Sequence, residues 1–248
     1  MLKLTMLTVG VVLLGVVSCA APVEPGIYVS YELPDRDALE LLEAQEFYSE
    51  LNLATLLVQA DGGTGSGVVI ALDLVLTAAH VVSHREVIQG PDGRPAEGEL
   101  IVGKVAVLKQ AYLPVFLSDA EVVKIDDKLD LAILRLKTPW PYTIARLSPT
   151  DPYLYQKAWA SGHPHGVTDT QVAEGRIQDL WDDGFIRYSS PTTFGNSGGP
   201  VFIRSGGKYF VSSIVQRVHV EGFGTAVNHL GLGALPAEVR AFSKEFVR

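Results

Sequence analysis

The sequence predicts an all-β protein: two β-units of comparable size, a short linker between them, and a helix at each end. Three observations point there. Valine and isoleucine recur in short apolar runs rather than at helical spacing. Gly (24) and Pro (14) are plentiful and fall between those runs. The runs return every ~8 to 15 residues, the rhythm of an antiparallel barrel or sandwich. The chain has 248 residues, 47% hydrophobic and 19% charged. That supplies a sizeable core and excludes a disordered chain, and the length admits one large domain or two small ones.

From the N-terminus, Lys3 precedes an apolar run from Leu4 to Val17. At about 14 residues the run is short for a membrane span and fits the apolar segment of a signal peptide, residues 1–18. Val16-Val17-Ser18-Cys19 follows, and Cys19 is the only cysteine, so no disulfide can form within the chain. These four residues resemble the lipobox of bacterial lipoproteins, which implies cleavage before Cys19 and lipidation of its thiol. The expected location is the cell envelope, exported and lipid-anchored; the alternative is plain secretion. Residues 19–34, with Pro22, Pro25 and Pro34, read as a tether.

The folded domain is expected over 35–248. Asp35 to Asn52 has a helical pattern, with Leu39, Leu42, Phe47 and Leu51 near one face. The first β-unit, about 53–138, holds apolar runs at 54–60, 67–70, 74–77, 101–108 and 131–136, with turns at Asp61-Gly62-Gly63 and Pro91-Asp92-Gly93. Pro139-Trp140-Pro141 breaks the rhythm. The second unit, about 150–235, holds runs at 157–161, 171–178, 185–188, 200–204, 209–215 and 225–228. Ser205-Gly206-Gly207 reads as a hairpin turn. Pro236 then opens a closing helix, 236–247, with Val239, Phe242 and Phe246 on one face.

The formal net charge is -8, without a clustered Lys/Arg tract. Nucleic acid is therefore not an expected partner, because its phosphates demand cationic neutralisation. His163-Pro164-His165 could offer two metal ligands, but no third cluster accompanies them, and no metal or cofactor is expected.

Three short segments can carry chemistry. Ser197 sits in Gly195-Asn196-Ser197-Gly198-Gly199-Pro200. A serine hydroxyl needs a base to become a nucleophile, and a glycine-rich turn can converge the Gly195 and Ser197 amides into an oxyanion hole. His80 follows an apolar strand in Leu76-Thr77-Ala78-Ala79-His80. Asp130 heads the buried run Leu131 to Leu136, and a carboxylate there needs a partner such as a histidine to orient. Asp126 and Asp127 suit a turn equally well, but only Asp130 abuts the run.

Together these segments, in the order His–Asp–Ser, resemble the signature motifs of trypsin-like peptidases, most closely the bacterial HtrA/Deg type. Gly63 to Ile70, Ala160 to Gly166 and Gly231 to Phe242 carry the same likeness, which spans about residues 53 to 245. The resemblance implies two antiparallel six-stranded β-barrels of the chymotrypsin-like fold, without the PDZ domain of HtrA proteins. It implies a serine endopeptidase acting on polypeptides through a triad of His80, Asp130 and Ser197. It also implies an S1 pocket built before the serine and on the strand after it, at Pro191, Ser213 and Val215. Pro191 stands six residues before the serine, where trypsin has a carboxylate, so small or medium apolar side chains are expected there. A nucleophile elbow of the α/β-hydrolase kind is the competing reading of Gly195-x-Ser197-x-Gly199, but Pro200 and a hairpin follow where that fold needs a helix. The other alternative is a protease-fold lipoprotein that only binds a partner.

Overall fold

The structure is a computed structural model, and it describes residues 36–61, 63–89, 94–109, 115–180, 185–221 and 228–247. The signal segment, Cys19, the tether, Asp35, the Pro91-Asp92-Gly93 turn and most of the 225–228 run lie outside the described residues.

A helix, α1 (Arg36–Phe47), runs into a wide turn at Tyr48–Asn52. Its expected apolar face is only partly used. Leu42 is exposed, whereas Leu51 is buried and Phe47 packs edge-on against Trp159 and Tyr209 at 6.2 and 5.7 Å. The C-terminal end of the helix is thus docked on the second barrel.

The first barrel is built from β1 (Thr55–Ala60), β2 (Gly63–Ala71), β3 (Leu74–Thr77), β6 (Val105–Lys109), β7 (Phe116–Asp126) and β8 (Leu131–Leu136). It closes in the order β1-β2-β3-β8-β7-β6. A two-stranded ribbon, β4 (Ser83–Gln89) with β5 (Pro95–Val102), stands apart from it. The second barrel uses β9 (Lys157–Gly162), β10 (Gln171–Leu180), β11 (Phe185–Tyr188), β12 (Pro200–Ser205), β13 (Lys208–Glu221) and β14 (Asn228–Ala234), closing as β10-β11-β14-β13-β12-β9. All pairings within the barrels are antiparallel. Closure leaves a barrel with no unpaired edge.

Burial explains which strands form. Leu131 to Leu134 and Leu74 to Thr77 are buried on both faces, hence their unbroken apolar runs. The β12–β13 hairpin turns at Gly206 and Gly207, both at positive φ (55° and 80°), as a tight two-residue turn requires. The linker is pinned to both barrels. Trp140 is wholly buried against Phe116, Ala145 N donates to Val69 O, and Ser148 N donates to Val211 O. Finally α3 (Pro236–Ser243) packs Val239 and Phe242 into the core.

Candidate active site

His80 stands on a four-residue helix, α2 (Ala79–Val82), directly after β3. Ala78 and Ala79 are buried, so small residues let this turn sit close over the barrel. The side chain itself is 45% exposed and faces a cleft.

The β7–β8 connection offers three aspartates, and the structure gives each a different task. Asp126 Oδ1 accepts from Lys128 N and Leu129 N and so shapes the turn. Asp127 accepts from Arg85 Nε at 3.0 Å. Asp130 faces His80: its Oδ1 accepts from His80 N at 2.9 Å and its Oδ2 meets His80 Nδ1 at 2.8 Å. Asp130 itself is held at φ 52°, a left-handed backbone that favours glycine but tolerates aspartate. One contact holds the His80 main chain and the other its ring, and because a carboxylate oxygen accepts, Nδ1 is the donor.

Ser197 lies on the loop before β12. Ser66 N donates to Ser197 O at 2.7 Å, and Gly198 N donates to Val215 O at 2.7 Å, so the loop is bolted to both barrels. Two glycines make this possible. Gly198 has φ 82°, and a Cβ there would fall 2.2 Å from Ser66 O. Gly195 has φ 92°, and a Cβ there would fall 2.3 Å from His163 O. No side chain fits at either position.

His80, Gly195 and Ser197 line one cleft of about 810 Å³, with Thr64, Val81, His84, Thr192, Phe194, Gln216, Arg217 and Val218 among its other walls. Phe194 is 85% exposed at the rim. The expected pocket residues are not where the sequence reading put them. Ser213 is fully buried and donates to Ala234 O, Val215 is 1% exposed in the core of the second barrel, and Pro191 points to solvent. None of the three lines the cleft. Beyond them, the β13–β14 pairing has a bulge between Val215 and Arg217. The bulge ends the inward alternation, and Gln216, Arg217 and Val218 supply the wall instead.

Gln216 has a second task that its sequence setting did not reveal. Its Nε2 donates to Leu129 O and, at 3.1 Å, to Asp130 O, tying the Asp130 turn to the second barrel. Arg217 lies with its guanidinium 5.2 Å from the Phe185 ring centre. Among the described residues no three His, Cys, Asp or Glu side chains gather at His163 and His165. His163 is buried, with Nδ1 on Val167 O and Nε2 on Thr170 Oγ1, while His165 is exposed at the cleft.

Burial, and then the nearby charge of Lys109, push the His163 pKa down from 6.5 to about 4. Its neutral form is the folded one, so the unfolded chain binds more protons between those two values. The stability this contributes is complete above pH 6.5 and is lost as pH falls to about 4, on the order of 3 kcal/mol in all. Urea unfolding should therefore show stability falling from pH 7 to pH 4.5, with a clearly shallower fall in His163→Gln. Equal slopes in the two proteins would refute this account.

The comparisons agree with this geometry. The sequence profile described as "Trypsin-like peptidase domain" matches residues 65–209, more than half of the chain. The chain belongs to that family. No curated protein sequence matches this trypsin-like chain. Solved structures do. The serine endoprotease from Yersinia pestis is 20% identical with a TM-score of 0.60, covering 82% of this chain and 66% of its own. The present chain thus spans just under two thirds of that protein. The Rv3671c protease of M. tuberculosis, in an inactive form, is 21% identical with a TM-score of 0.55, covering 86% of this chain and 96% of its own. At such identities the likeness establishes the two-barrel protease fold.

Proposed function

We propose that the chain is a serine endopeptidase that cleaves polypeptides through an acyl-enzyme. The observation that carries this is His80, bonded to Asp130 at 2.8 Å, in the same cleft as Ser197. Ser197 Oγ attacks the scissile carbonyl carbon while His80 Nε2 takes the hydroxyl proton. Asp130 holds the ring and stabilises the imidazolium that results. The carbonyl oxygen, now an anion, is received by the Gly195 and Ser197 amides. Collapse breaks the C–N bond, and His80 returns its proton to the departing amine. Water then attacks the ester by the same route, releasing the acid and restoring Ser197.

The cleft also favours a substrate class. Among the described residues no carboxylate is in its walls, and Arg217 is the one permanent cation there. A lysine or arginine seated there would lose its hydration without a counter-charge, at a cost of several kcal/mol. Small or medium apolar residues such as Val, Ala or Leu are preferred at the cleaved position. The preference is soft, because one methylene changes the rate only about 10- to 200-fold.

A peptide library incubated with the mature chain tests both statements. Cleavage after Val or Leu, together with labelling of Ser197 by a fluorophosphonate, is the expected result. Absence of both turnover and labelling would remove the peptidase reading and leave a binding role, and cleavage confined to Arg sites would overturn the specificity.

Cys19, at its lipobox-like site, supports anchoring of this peptidase to the cell envelope by lipid. Cys19→Ala should release the mature chain from membranes or block its maturation. A mature variant still membrane-bound would refute the anchor.

A further inference from the structure

Beneath the Ser197 loop runs a buried chain of hydrogen bonds that the proposed reaction does not itself use. It begins at Lys109, the last residue of β6, which is 1% exposed although lysine is almost never buried without partners. Burial pushes its pKa down to about 7, and in the ammonium form its three donors meet three acceptors: Asn52 O at 2.6 Å, Thr55 O at 2.9 Å, and Thr170 Oγ1. Because Thr170 Oγ1 accepts from Lys109, its own proton is free to go to His163 Nε2, 3.1 Å away. That leaves the imidazole proton on Nδ1, which donates to Val167 O at 2.9 Å. Neutral His163 has one tautomer that satisfies both contacts, and burial favours the neutral ring. The chain of donation therefore has a single direction: Lys109 to Thr170, Thr170 to His163, His163 to Val167.

His163 opens the turn at residues 163–166, and that turn carries the oxyanion loop. His163 N donates to Ser66 Oγ at 2.9 Å, and Ser66 Oγ donates onward to Gly195 O at 2.7 Å. His165 N donates to Phe194 O at 2.7 Å. The bond to Phe194 O matters most for chemistry. In a trans peptide the N–H points opposite to the C=O. With the Phe194 carbonyl held on the turn, the Gly195 N–H faces the other way. The turn has reason to need holding, since His165 sits at φ 55°, ψ 21°, a left-handed backbone that a non-glycine residue keeps only when its surroundings impose it.

We propose that Lys109 and Thr170 are positioning residues for the oxyanion hole: through His163 they hold the 163–166 turn against Phe194 and Gly195, and so aim the Gly195 N–H at the oxyanion. This rests on the peptidase reading above. Neither residue touches substrate. Lys109 comes from the first barrel, whereas the turn and Gly195 belong to the second, so the device also couples the registry of the two barrels to catalysis.

Thr170 gives the cleanest test, because valine copies its shape without the hydroxyl and serine keeps the hydroxyl without the methyl. Kinetics on a peptide ester and on a peptide are measured for the full mature chain, with the rate of fluorophosphonate labelling. Loss of a whole oxyanion donor costs about 10²- to 10³-fold in kcat, so a misaimed one should cost about 10- to 100-fold. Thr170→Val is expected to lose that much in kcat and in labelling rate, with KM nearly unchanged, while Thr170→Ser stays close to the wild type. If Thr170→Val does not fold by circular dichroism, Thr170→Ala is read by the same criteria. A folded Thr170→Val or Thr170→Ala with wild-type kcat overturns the proposal, and so does a Thr170→Ser variant as slow as Thr170→Val. Ser197→Ala is run alongside. If it is dead and Thr170→Val is unimpaired, only the positioning role falls; if it is as active as the wild type, Ser197 is not the nucleophile and the proposed mechanism falls with it.

Discussion

Replacing Ser197 by alanine is expected to lower kcat by about 10⁴-fold or more, with little change in thermal stability. The size follows from what is removed. Without Oγ there is no acyl-enzyme, and His80 has no proton to take. What remains is binding and the oxyanion amides, which support only a small residual rate. Stability should be spared because the loop is held by main-chain groups. Ser66 N on Ser197 O, Gly198 N on Val215 O and Gly199 N on Asn196 O all survive the substitution. A melting temperature within a few degrees of the wild type is expected, since a single contact of about 1 kcal/mol moves a domain this size by only about 2–4 °C. Steady-state hydrolysis, fluorophosphonate labelling and a thermal melt decide the matter together. Turnover of Ser197→Ala at the wild-type rate would show that another group is the nucleophile.

Two of the strands that sequence reading located best, β3 and β8, are buried almost throughout, and the third, β11, alternates between buried and half-buried positions. β3 (Leu74–Thr77), β8 (Leu131–Leu136) and β11 (Phe185–Tyr188) match the expected runs residue for residue. β4 and β7 were missed, and both are more exposed. After Ser83, every residue of β4 is exposed, in the ribbon outside the barrels. The 11 residues of β7 mix polar and apolar positions that are mostly half-buried, so no apolar run marks them. The single expected run at 101–108 is in fact the end of β5 and most of β6, parted at Gly103 and Lys104.

The candidate site divides in the same way. His80, Asp130 and Ser197 each lie beside a run with a marked local pattern, and the cleft brings His80 and Ser197 together. The contribution of Gln216, Arg217 and Val218 to the cleft was not legible, because the bulge after Val215 depends on the pairing with β14. Lys109 and His163 gave no sign of their partnership. They are 54 residues apart in sequence, and only closure of both barrels sets Thr170 between them. Gln216 is similar: its bonds to Leu129 O and Asp130 O join segments far apart along the chain.

Asp130→Asn should cost nearly as much as loss of the nucleophile, about 10⁴-fold in kcat, while leaving the shape of the site almost intact. The two contacts of Asp130 explain why. Its Oδ1 accepts from His80 N at 2.9 Å, and an asparagine Oδ1 can accept there equally well. The amide NH₂ must then occupy the place of Oδ2, 2.8 Å from His80 Nδ1. An NH₂ can only donate, so Nδ1 must become an acceptor and the ring proton moves to Nε2. That nitrogen then carries a proton where the mechanism needs a lone pair, and Ser197 loses its base. The opposite placement, with the amide oxygen on Nδ1, would set the NH₂ against the His80 main-chain N–H, donor against donor. Either way the pair is mismatched, although the side chains are nearly the same size. The prediction is a large fall in kcat with KM changed little, because Asp130 makes no contact with substrate. NMR of the imidazole nitrogens should show the proton on Nδ1 in the wild type and on Nε2 in Asp130→Asn. A variant that keeps wild-type kcat, or keeps its proton on Nδ1, would show that Asp130 does not orient the base.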